Sequence, residues 1–491
     1  MSTHSDKPGS FLRSSQSIFY FSTALMIFAM LVPDTYGFPK ALYAATPLIC
    51  LYWTWKLSGW IRPIPNILTL LLATFVVMVH SGVLILMIRD DEHWARLANN
   101  YNVGLFALVS GASFAILWRG FNHKEEGKRW FSIETVRWDE TATQWAVLFC
   151  FFSIAVVLFA LYFRFQLPLF EGIRALLAGQ DFDLLEARKS ISYYESGAAS
   201  IVKYLEQFRI GGLMFLVCLS FIRYSETGLT SWRIVSFLLG SAAMVLLAGA
   251  GQRWPGVMLV LCLALVYILT GRRRSMNWKR LMRRFVVVVA IVGLLLVFQT
   301  WLLMAHYVSW DSVIAAMQTA FGGLMDRVVY VNARIGYMTV AIYPDYLPFE
   351  YGSTWLDSLS VILPGQRQGF ATRHMRMLFG SIGTAPIPVL LEFYVNYGMI
   401  GTLIGSWLFG MGLQSLQIWM VRARVSPASL ASYIVLTVLF ATGLSTGLLL
   451  GPIYNGAVLV PLLAWGMNRL QARHRMVPER RLAGPVGAGA K

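Results

Sequence analysis

The chain has 491 residues, of which 57% are hydrophobic and only 13% are charged. Soluble globular proteins carry about 25% charged residues, so this composition excludes a soluble enzyme and indicates an integral membrane protein. A net charge of +17 also occurs in nucleic-acid-binding proteins, but here the basic residues lie in short segments between apolar runs and form no single basic domain. We therefore expect membrane lipid around the chain and no nucleic-acid partner.

The first element in chain order is a polar N-terminal segment, residues 1–16, which precedes an apolar run that has no small-residue cleavage site after it. We interpret this run as a retained first span rather than a signal peptide. Runs long enough to cross a hydrocarbon core of about 30 Å then recur along the chain. The pattern predicts an all-α fold, with a single membrane domain over 17–468 and about twelve transmembrane helices. The predicted spans are 17–34, 41–57, 66–88, 102–118, 143–163, 208–224, 233–250, 255–270, 285–305, 399–420, 429–450 and 453–468.

Basic clusters determine the predicted orientation of these spans. Lysine and arginine concentrate in the segments 124–129, 272–284 and 422–424 and in the tail 469–491. Because basic loops stay on the cytoplasmic side, we expect both termini in the cytoplasm of a bacterium and the spans in its inner membrane. The loops 164–207 and 306–398 are then external (periplasmic), and loops of that length usually carry function.

Acidic residues are absent from long parts of the predicted membrane domain. None occurs between Glu226 and Asp311, and none between Glu392 and Glu479. Coupled transporters normally place carboxylates within their spans, so this absence disfavours coupled transport. His80, the one ionisable residue deep in an early span, is interpreted as a packing residue rather than a proton relay.

Arginines instead mark the second external loop. The five are Arg327, Arg334, Arg367, Arg373 and Arg376. The first two are seven residues apart, which places them on one face if that segment is helical, and the stretch 358–391 around the other three contains no acid. Guanidinium groups bind phosphate oxygens bidentately and stay charged at any physiological pH. We interpret the set as an anion site suited to a lipid-borne pyrophosphate; the alternative is solvated charge or lipid-headgroup anchoring.

Arg253 lies in a short hairpin, GQRWPG (251–256), between two predicted spans. A charge at that position is costly unless a partner or water receives it. Gly251 and Gly256 allow the backbone to turn tightly or to approach a ligand. Anion binding and snorkelling to lipid headgroups both account for this arginine.

Two residues of the same loop are candidates for a general base, Glu392 and His374. Residues 387–397 (IPVLLEFYVNY) predict a short amphipathic helix that carries Glu392 into the span beginning near Met399, with Gly398 as the break. His374 lies among arginines, which favour the neutral imidazole that a base requires. Further acid–base candidates are His306, Asp345, Glu350 and Asp357. The sequence contains neither an HExxH zinc motif nor a glycine-rich phosphate loop followed by Lys-Ser/Thr, and we expect no cofactor and no metal.

Three segments resemble one family. The run PIPVLLEFYVNYGMIGTLIGSWLFG (386–410) resembles the Glu-x-Tyr-x-Asn-x-Gly and glycine-stepped span of bacterial O-antigen and exopolysaccharide repeat-unit polymerases, the Wzy-type enzymes. GQRWPG is similar to their Gly-x-Arg-x-x-Gly hairpin. LPGQRQG (363–369) is similar to the start of their large external loop, although Gly365 stands where their pattern has an arginine and Arg367 follows it.

The resemblance implies a membrane glycosyltransferase of the GT-C-like class. The donor and the acceptor would both be oligosaccharides linked to undecaprenyl pyrophosphate, joined with inversion and without a metal. It further implies pyrophosphate stabilisation by Arg253, Arg327, Arg367, Arg373 and Arg376, and a base at Glu392 or His374. Arg334 would contact substrate, and Tyr394 and Asn396 would either contact sugar or order the loop. A chain-length regulator protein is an expected partner.

Three other functions stay open at this point. An O-antigen ligase uses the same donor but transfers the glycan to lipid A core, and the histidine in its large loop makes His374 relevant. A lipid-linked oligosaccharide flippase would carry charges along a cavity within its spans, which the acid-free second half does not supply. A non-catalytic scaffold would not need clustered external arginines.

Overall fold

The computed structural model describes residues 8–31, 37–58, 66–88, 92–121, 126, 139–163, 166–178, 204–250, 254–273, 318–319, 321–323, 325–360, 370–380, 387–422, 426–445 and 449–475. Every regular element in these ranges is helical, which confirms the all-α prediction. The helices are α1 (Pro8–Leu31), α2 (Phe38–Ser58), α3 (Ile67–Leu86), α4 (Glu92–Arg119), α5 (Glu140–Tyr162), α6 (Pro168–Leu177), α7 (Tyr204–Thr227), α8 (Thr230–Gly249), α9 (Trp254–Arg273), α10 (Val331–Ile342), α11 (Ser353–Ser360), α12 (Phe370–Phe379), α13 (Val389–Arg422), α14 (Pro427–Ser445), α15 (Gly451–Tyr454) and α16 (Leu459–Arg475).

Seven helices of the described ranges are long and apolar enough to cross a membrane. They are α1 over Ser14–Leu31, α3, α4, α5, α7, α8 and α13. Two shorter apolar helices, α9 and α14, overlap two more predicted spans. The predicted spans 41–57 and 453–468 overlap α2 and α16, which are helical but less apolar or shorter than these seven. The predicted span 285–305 lies outside the described residues. The chain is therefore an apolar helical protein of the membrane type, and the number twelve stays a prediction.

Helices α4 and α13 pack side by side and run in the same direction. Asn100 near the start of α4 donates to Thr402 of α13 at 2.8 Å. Farther along, a Cβ atom at Gly111 would lie 2.0 Å from a carbonyl oxygen of α13, and one at Gly410 would lie 2.0 Å from a carbonyl oxygen of α4. Membrane helices approach this closely only where small residues face each other, so these two glycines set the distance between the central helices.

Ion pairs mark the two ends of this helix pair. Arg96 in the first turns of α4 lies 2.7 Å from Asp345, and we call this the Arg96 end. Arg422 in the last turn of α13 lies 3.0 Å from Glu126 and donates to the carbonyl of Arg119, which ends α4. We call this the Arg422 end; a 28-residue helix such as α4 is about 42 Å long at 1.5 Å per residue.

Other contacts gather further helix termini near the Arg422 end. Asn468 of α16 donates to Ser429, close to the start of α14, and α14 follows α13 after a short connection. Gln471 of α16 donates to Thr143 at the start of α5 at 2.6 Å. Glu140 of α5 in turn accepts from Trp232 of α8 and pairs with the last turns of α7. The topology predicted from the basic clusters assigns all of these termini to one side of the membrane.

Candidate functional site

The segment between α10 and α11 folds against the first turns of α13 at the Arg96 end. Three consecutive amides donate to two residues of α13: Glu350 to the carbonyl of Val395 at 2.9 Å, Tyr351 to the carbonyl of Asn396 at 3.0 Å, and Gly352 to the Asn396 side-chain oxygen at 2.8 Å. We call these three hydrogen bonds the Asn396 clamp. They hold the loop in one register on the helix.

The clamp is possible because α13 is broken at the next two residues. Tyr397 has φ −141° and ψ 19°, and Gly398 has φ 64° and ψ −152°, neither of which is helical. Within a helix each backbone carbonyl accepts a hydrogen bond from the amide four residues later, and a break removes that donor. Here the loop amides donate to the freed carbonyls instead. A Cβ at Gly398 would lie 2.9 Å from the Phe349 ring, so both backbone angle and space require glycine. The predicted helix before Gly398 and the break itself are confirmed; the helix begins at Val389.

Glu392 is completely buried beneath the clamp. One carboxylate oxygen accepts from the Thr354 hydroxyl at 3.2 Å and the other from the backbone amide of Leu449 at 2.6 Å. The same Thr354 oxygen accepts from the Asn396 side-chain amide at 2.7 Å. Glu392 therefore ties α11, α13 and the segment before α15 together, and each of its oxygens accepts one hydrogen bond.

Tyr394 and Asn396 are also buried. The Tyr394 hydroxyl donates to the carbonyl of Tyr343 at 3.1 Å, and its ring meets Phe349 edge to face at 5.8 Å between centroids. Asn396 has its oxygen and its amide group engaged by the clamp and by Thr354. Of the two predicted roles, ordering the loop agrees with these contacts better than contacting sugar.

Glu350 is the centre of a charged cluster at the surface of the loop. It accepts from the Tyr343 hydroxyl at 3.0 Å and from the Ser353 hydroxyl. Arg373 of α12 lies 2.9 Å from Glu350 and 3.2 Å from Asp357. Burial raises the pKa of Glu350, but the hydrogen bonds from Ser353, Tyr343 and Arg373 and the charge of Arg373 together outweigh it and leave the pKa below its ordinary value. Arg373 is thus engaged by two carboxylates.

The remaining predicted arginines differ in what they contact. Arg334 pairs with Asp326 at 3.3 Å and lies over the Tyr330 ring. Arg376 is exposed, and no described residue forms an ion pair or hydrogen bond with it. Its guanidinium is therefore open to an anion. The side chain of Arg327, and all of Arg253, Arg367 and His306, lie outside the described residues.

His374 lies on the buried side of α12, stacked on Phe370 at 5.1 Å. Its Nε2 is 3.1 Å from the Thr339 hydroxyl, which itself donates to the carbonyl of Ile335 at 2.7 Å. Thr339 must then accept, so the imidazole carries its proton on Nε2. Its Nδ1 has no partner among the described residues. Burial, and secondarily the neighbouring Arg373, lower its pKa to about 4, which agrees with the predicted neutral form but makes burial the larger cause.

Sequence analysis missed three groups near this end. Arg96 was not selected, although it pairs with the predicted acid Asp345. The aromatic side chains of Tyr351, Trp355 and Tyr397 adjoin one another. A further buried arginine, Arg209 of α7, lies 2.7 Å from Glu206 and donates to the carbonyl of Leu247 at 3.0 Å. The sequence does carry a signal for Arg209, since it follows Glu206 by three residues at the start of an apolar run.

His80 packs edge-on to the Tyr43 ring at 5.0 Å between centroids, in agreement with the packing interpretation. Within the described part of the chain, no three His, Cys, Asp or Glu side chains are close enough to share a metal ion.

Comparison of the chain with protein-family models, with curated proteins and with solved structures found no match. The functional assignment therefore depends on the motifs and on the geometry described above.

Proposed function

We propose that the protein is a membrane glycosyltransferase that joins undecaprenyl-pyrophosphate-linked oligosaccharide repeat units into an O-antigen or exopolysaccharide. In this proposal all twelve predicted spans cross the bacterial inner membrane and the Arg96 end faces the periplasm. The observation that supports it is the Asn396 clamp, which fixes a surface with charged and aromatic side chains on the end of an apolar helix bundle. A lipid-linked glycan is likewise apolar at one end and polar at the other, with a polyprenyl tail in the membrane and a charged, hydroxyl-rich head outside.

The reaction would be a direct displacement at the anomeric carbon of the growing chain. A hydroxyl of the incoming repeat unit forms the new bond to this carbon, while its bond to the pyrophosphate oxygen breaks and the configuration inverts. The hydroxyl proton passes to a base, and the pyrophosphate leaves with the electron pair. Arginines stabilise its developing charge in place of a metal. Among the predicted loop arginines whose side chains are described, Arg376 is the one without an ion-pair partner, and Arg253, Arg327 and Arg367 are proposed to join it.

We assign roles to the remaining residues from the contacts described above. Arg373 supports the site through its pairs with Glu350 and Asp357. His374 is the stronger candidate for the base, because its Nδ1 lone pair has no described partner, whereas both oxygens of Glu392 already accept hydrogen bonds. We propose Glu392 as a positioning residue.

An O-antigen ligase is the second candidate function, favoured by the neutral His374 in the large loop. The test uses purified protein in detergent or vesicles with undecaprenyl-pyrophosphoryl repeat units as the sole substrate and EDTA present. A polymerase forms longer lipid-linked chains, which a gel ladder or mass spectrometry detects. A ligase forms product only after addition of lipid A core, and a flippase forms none. Either of those results, or loss of product on chelation, would contradict the proposed reaction.

A further inference from the structure

Three aromatic rings form one surface beside the Glu350–Arg373 ion pair. The Tyr351 and Tyr397 rings meet edge to face at 6.2 Å, and the Trp355 ring lies 5.9 Å from that of Tyr397. Tyr351 is 70% exposed and Tyr397 is 43% exposed. We call these three rings the aromatic platform.

Tyr351 is held in a conformation that side chains rarely adopt. Its φ is +45°, and it is the one residue other than glycine with a positive φ among the described residues. For a bulky residue this conformation costs free energy and persists only where the surroundings impose it. The Asn396 clamp imposes it, because the amides of Tyr351 and of both its neighbours are bound. The result is a strained residue whose large ring is exposed.

Exposed tyrosines near a membrane commonly anchor a protein at the lipid interface. Such an anchor needs only a tyrosine at the depth of the lipid headgroups, and a tyrosine with an unstrained backbone can reach that depth. A stacking site needs more, because the orientation of the ring decides whether a ligand lies flat on it. The clamped backbone of Tyr351 fixes the direction in which its side chain leaves the chain, and the contact with the Tyr397 ring limits the orientation of its own ring, so the geometry favours ring stacking over anchoring.

The surroundings of the platform identify the class of ligand. The Trp355 indole nitrogen is enclosed and has no partner among the described residues, so it is a donor still to be satisfied. Glu350 and Arg373 add an acceptor and a donor at the edge. A pyranose ring matches this combination, since it has an apolar face of C–H groups and hydroxyl groups around its rim.

We infer that the aromatic platform is a sugar-binding subsite, in which a pyranose ring of the lipid-linked glycan stacks on Tyr351, is flanked by the near-perpendicular Tyr397 ring, and hydrogen-bonds to groups at the edge. The inference rests on the proposed function for the identity of the glycan. It adds a binding contact that is separate from the base and from the arginines proposed to stabilise the pyrophosphate.

The test measures binding without catalysis. Mild acid releases the oligosaccharide from purified lipid-linked repeat units, and saturation-transfer NMR measures its affinity for the full-length protein in detergent. We expect Tyr351→Ala to weaken binding about tenfold, the value of one aromatic contact, and Tyr351→Phe to retain it. Tyr346→Ala is the matched control, because Tyr346 is 81% exposed on the same loop and its φ is not positive. Tyr351→Gly removes the ring and relieves the strain, so weak binding by this variant cannot be attributed to misfolding.

The outcomes separate this inference from the proposed function. If Tyr351→Ala and Tyr351→Gly bind the oligosaccharide as the wild type does, the subsite is wrong, whatever the polymerisation assay gives. Equal losses in Tyr346→Ala and Tyr351→Ala would also overturn it, since they would indicate a general interfacial effect. Platform-dependent binding by a protein that does not polymerise repeat units would support the subsite and contradict the polymerase.

Discussion

The carboxylate of Glu392 and the backbone amide of Leu449 are joined by a hydrogen bond of 2.6 Å across 57 residues of sequence. This bond connects the start of α13 to the segment between α14 and α15. On its other side the same carboxylate holds Thr354 at the start of α11. The loop that carries the candidate site and the C-terminal helices are therefore linked through one side chain.

Replacement of Glu392 by glutamine distinguishes positioning from base catalysis. Glutamine retains a carbonyl oxygen for the Leu449 amide and an NH₂ group that can donate to Thr354, so we expect turnover within a few-fold of wild type. Alanine leaves the Leu449 amide unpaired, at a cost of about 1–3 kcal/mol, and we expect Glu392→Ala to lower both the melting temperature and the activity. If Glu392 were the general base, Glu392→Gln would instead slow turnover by about 100-fold or more at unchanged stability. That result would restore the catalytic role of Glu392.

The Asn396 clamp predicts a pattern of hydrogen exchange. In Asn396→Ala the Gly352 amide loses its acceptor, whereas Glu350 and Tyr351 still donate to backbone carbonyls. We expect exchange of the Gly352 amide to accelerate most, which mass spectrometry with peptide-level or single-residue resolution can measure. Asn396→Asp is the control, since its carboxylate can accept from Gly352 but cannot donate to Thr354. Equal acceleration along residues 350–352 would mean that the clamp is not formed as described.

The sequence predicted the helical class and the break at Gly398, because each follows from local chemistry. It also predicted the neutral form of His374, but from the neighbouring arginines, whereas burial, which depends on tertiary packing, is the larger cause of the lowered pKa. Apolar runs identify helices, and a glycine before a second apolar run identifies a break. The partners of Arg373 and Glu392 could not be predicted in this way. Glu350 lies 23 residues before Arg373, and Leu449 lies 57 residues after Glu392, so both contacts depend on tertiary packing. Sequence analysis therefore treated Arg373 as a free cation and Glu392 as an available base.

Arg376 provides the test of pyrophosphate stabilisation. Its side chain is exposed without a described partner, so Arg376→Ala should leave folding unchanged and slow polymerisation about 100-fold or more, as removal of one transition-state donor does. Arg376→Lys keeps the charge but loses the planar fork, and we expect it to retain part of the activity. Arg174→Ala is a matched control, an exposed arginine on the short helix α6. Lipid-linked single repeat units should accumulate only in the Arg376 variants. Comparable activity of Arg376→Ala and Arg174→Ala would contradict the role of Arg376 in stabilising the pyrophosphate.

The two ends of the α4–α13 pair predict a labelling pattern. Tyr346 is exposed next to Asp345 at the Arg96 end, and Arg119 is exposed at the Arg422 end. We expect a membrane-impermeant maleimide to label Tyr346→Cys in intact spheroplasts and to label Arg119→Cys only after permeabilisation. The wild-type protein measures background, since three of its four cysteines are buried and the fourth is half-buried. The reverse pattern would invert the proposed orientation and move the candidate site to the cytoplasm.

The buried imidazole of His374 predicts a pH dependence of stability. Its pKa is about 4 in the folded protein and about 6.5 when exposed, so between these values the unfolded chain binds a proton that the folded protein does not. Stability from this group is therefore complete above pH 6.5 and falls as the pH is lowered toward 4. The loss is roughly 1.4 kcal/mol at pH 5.5 and about 3 kcal/mol in total, at 1.36 kcal/mol per pKa unit.

Thermal unfolding of the wild type and of His374→Gln at pH 7.5, 6.5, 5.5 and 4.5 tests this dependence. Glutamine can still donate to Thr339 but does not titrate, so we expect its melting temperature to fall less than that of the wild type over this range. Glu350, whose folded pKa is also lowered, loses its contribution at acid pH in both proteins and cancels in the difference. Parallel curves would show that His374 reaches water or a proton-accepting partner in the folded protein. That outcome would also remove the enclosed, unprotonated Nδ1 on which its proposed role as the base depends.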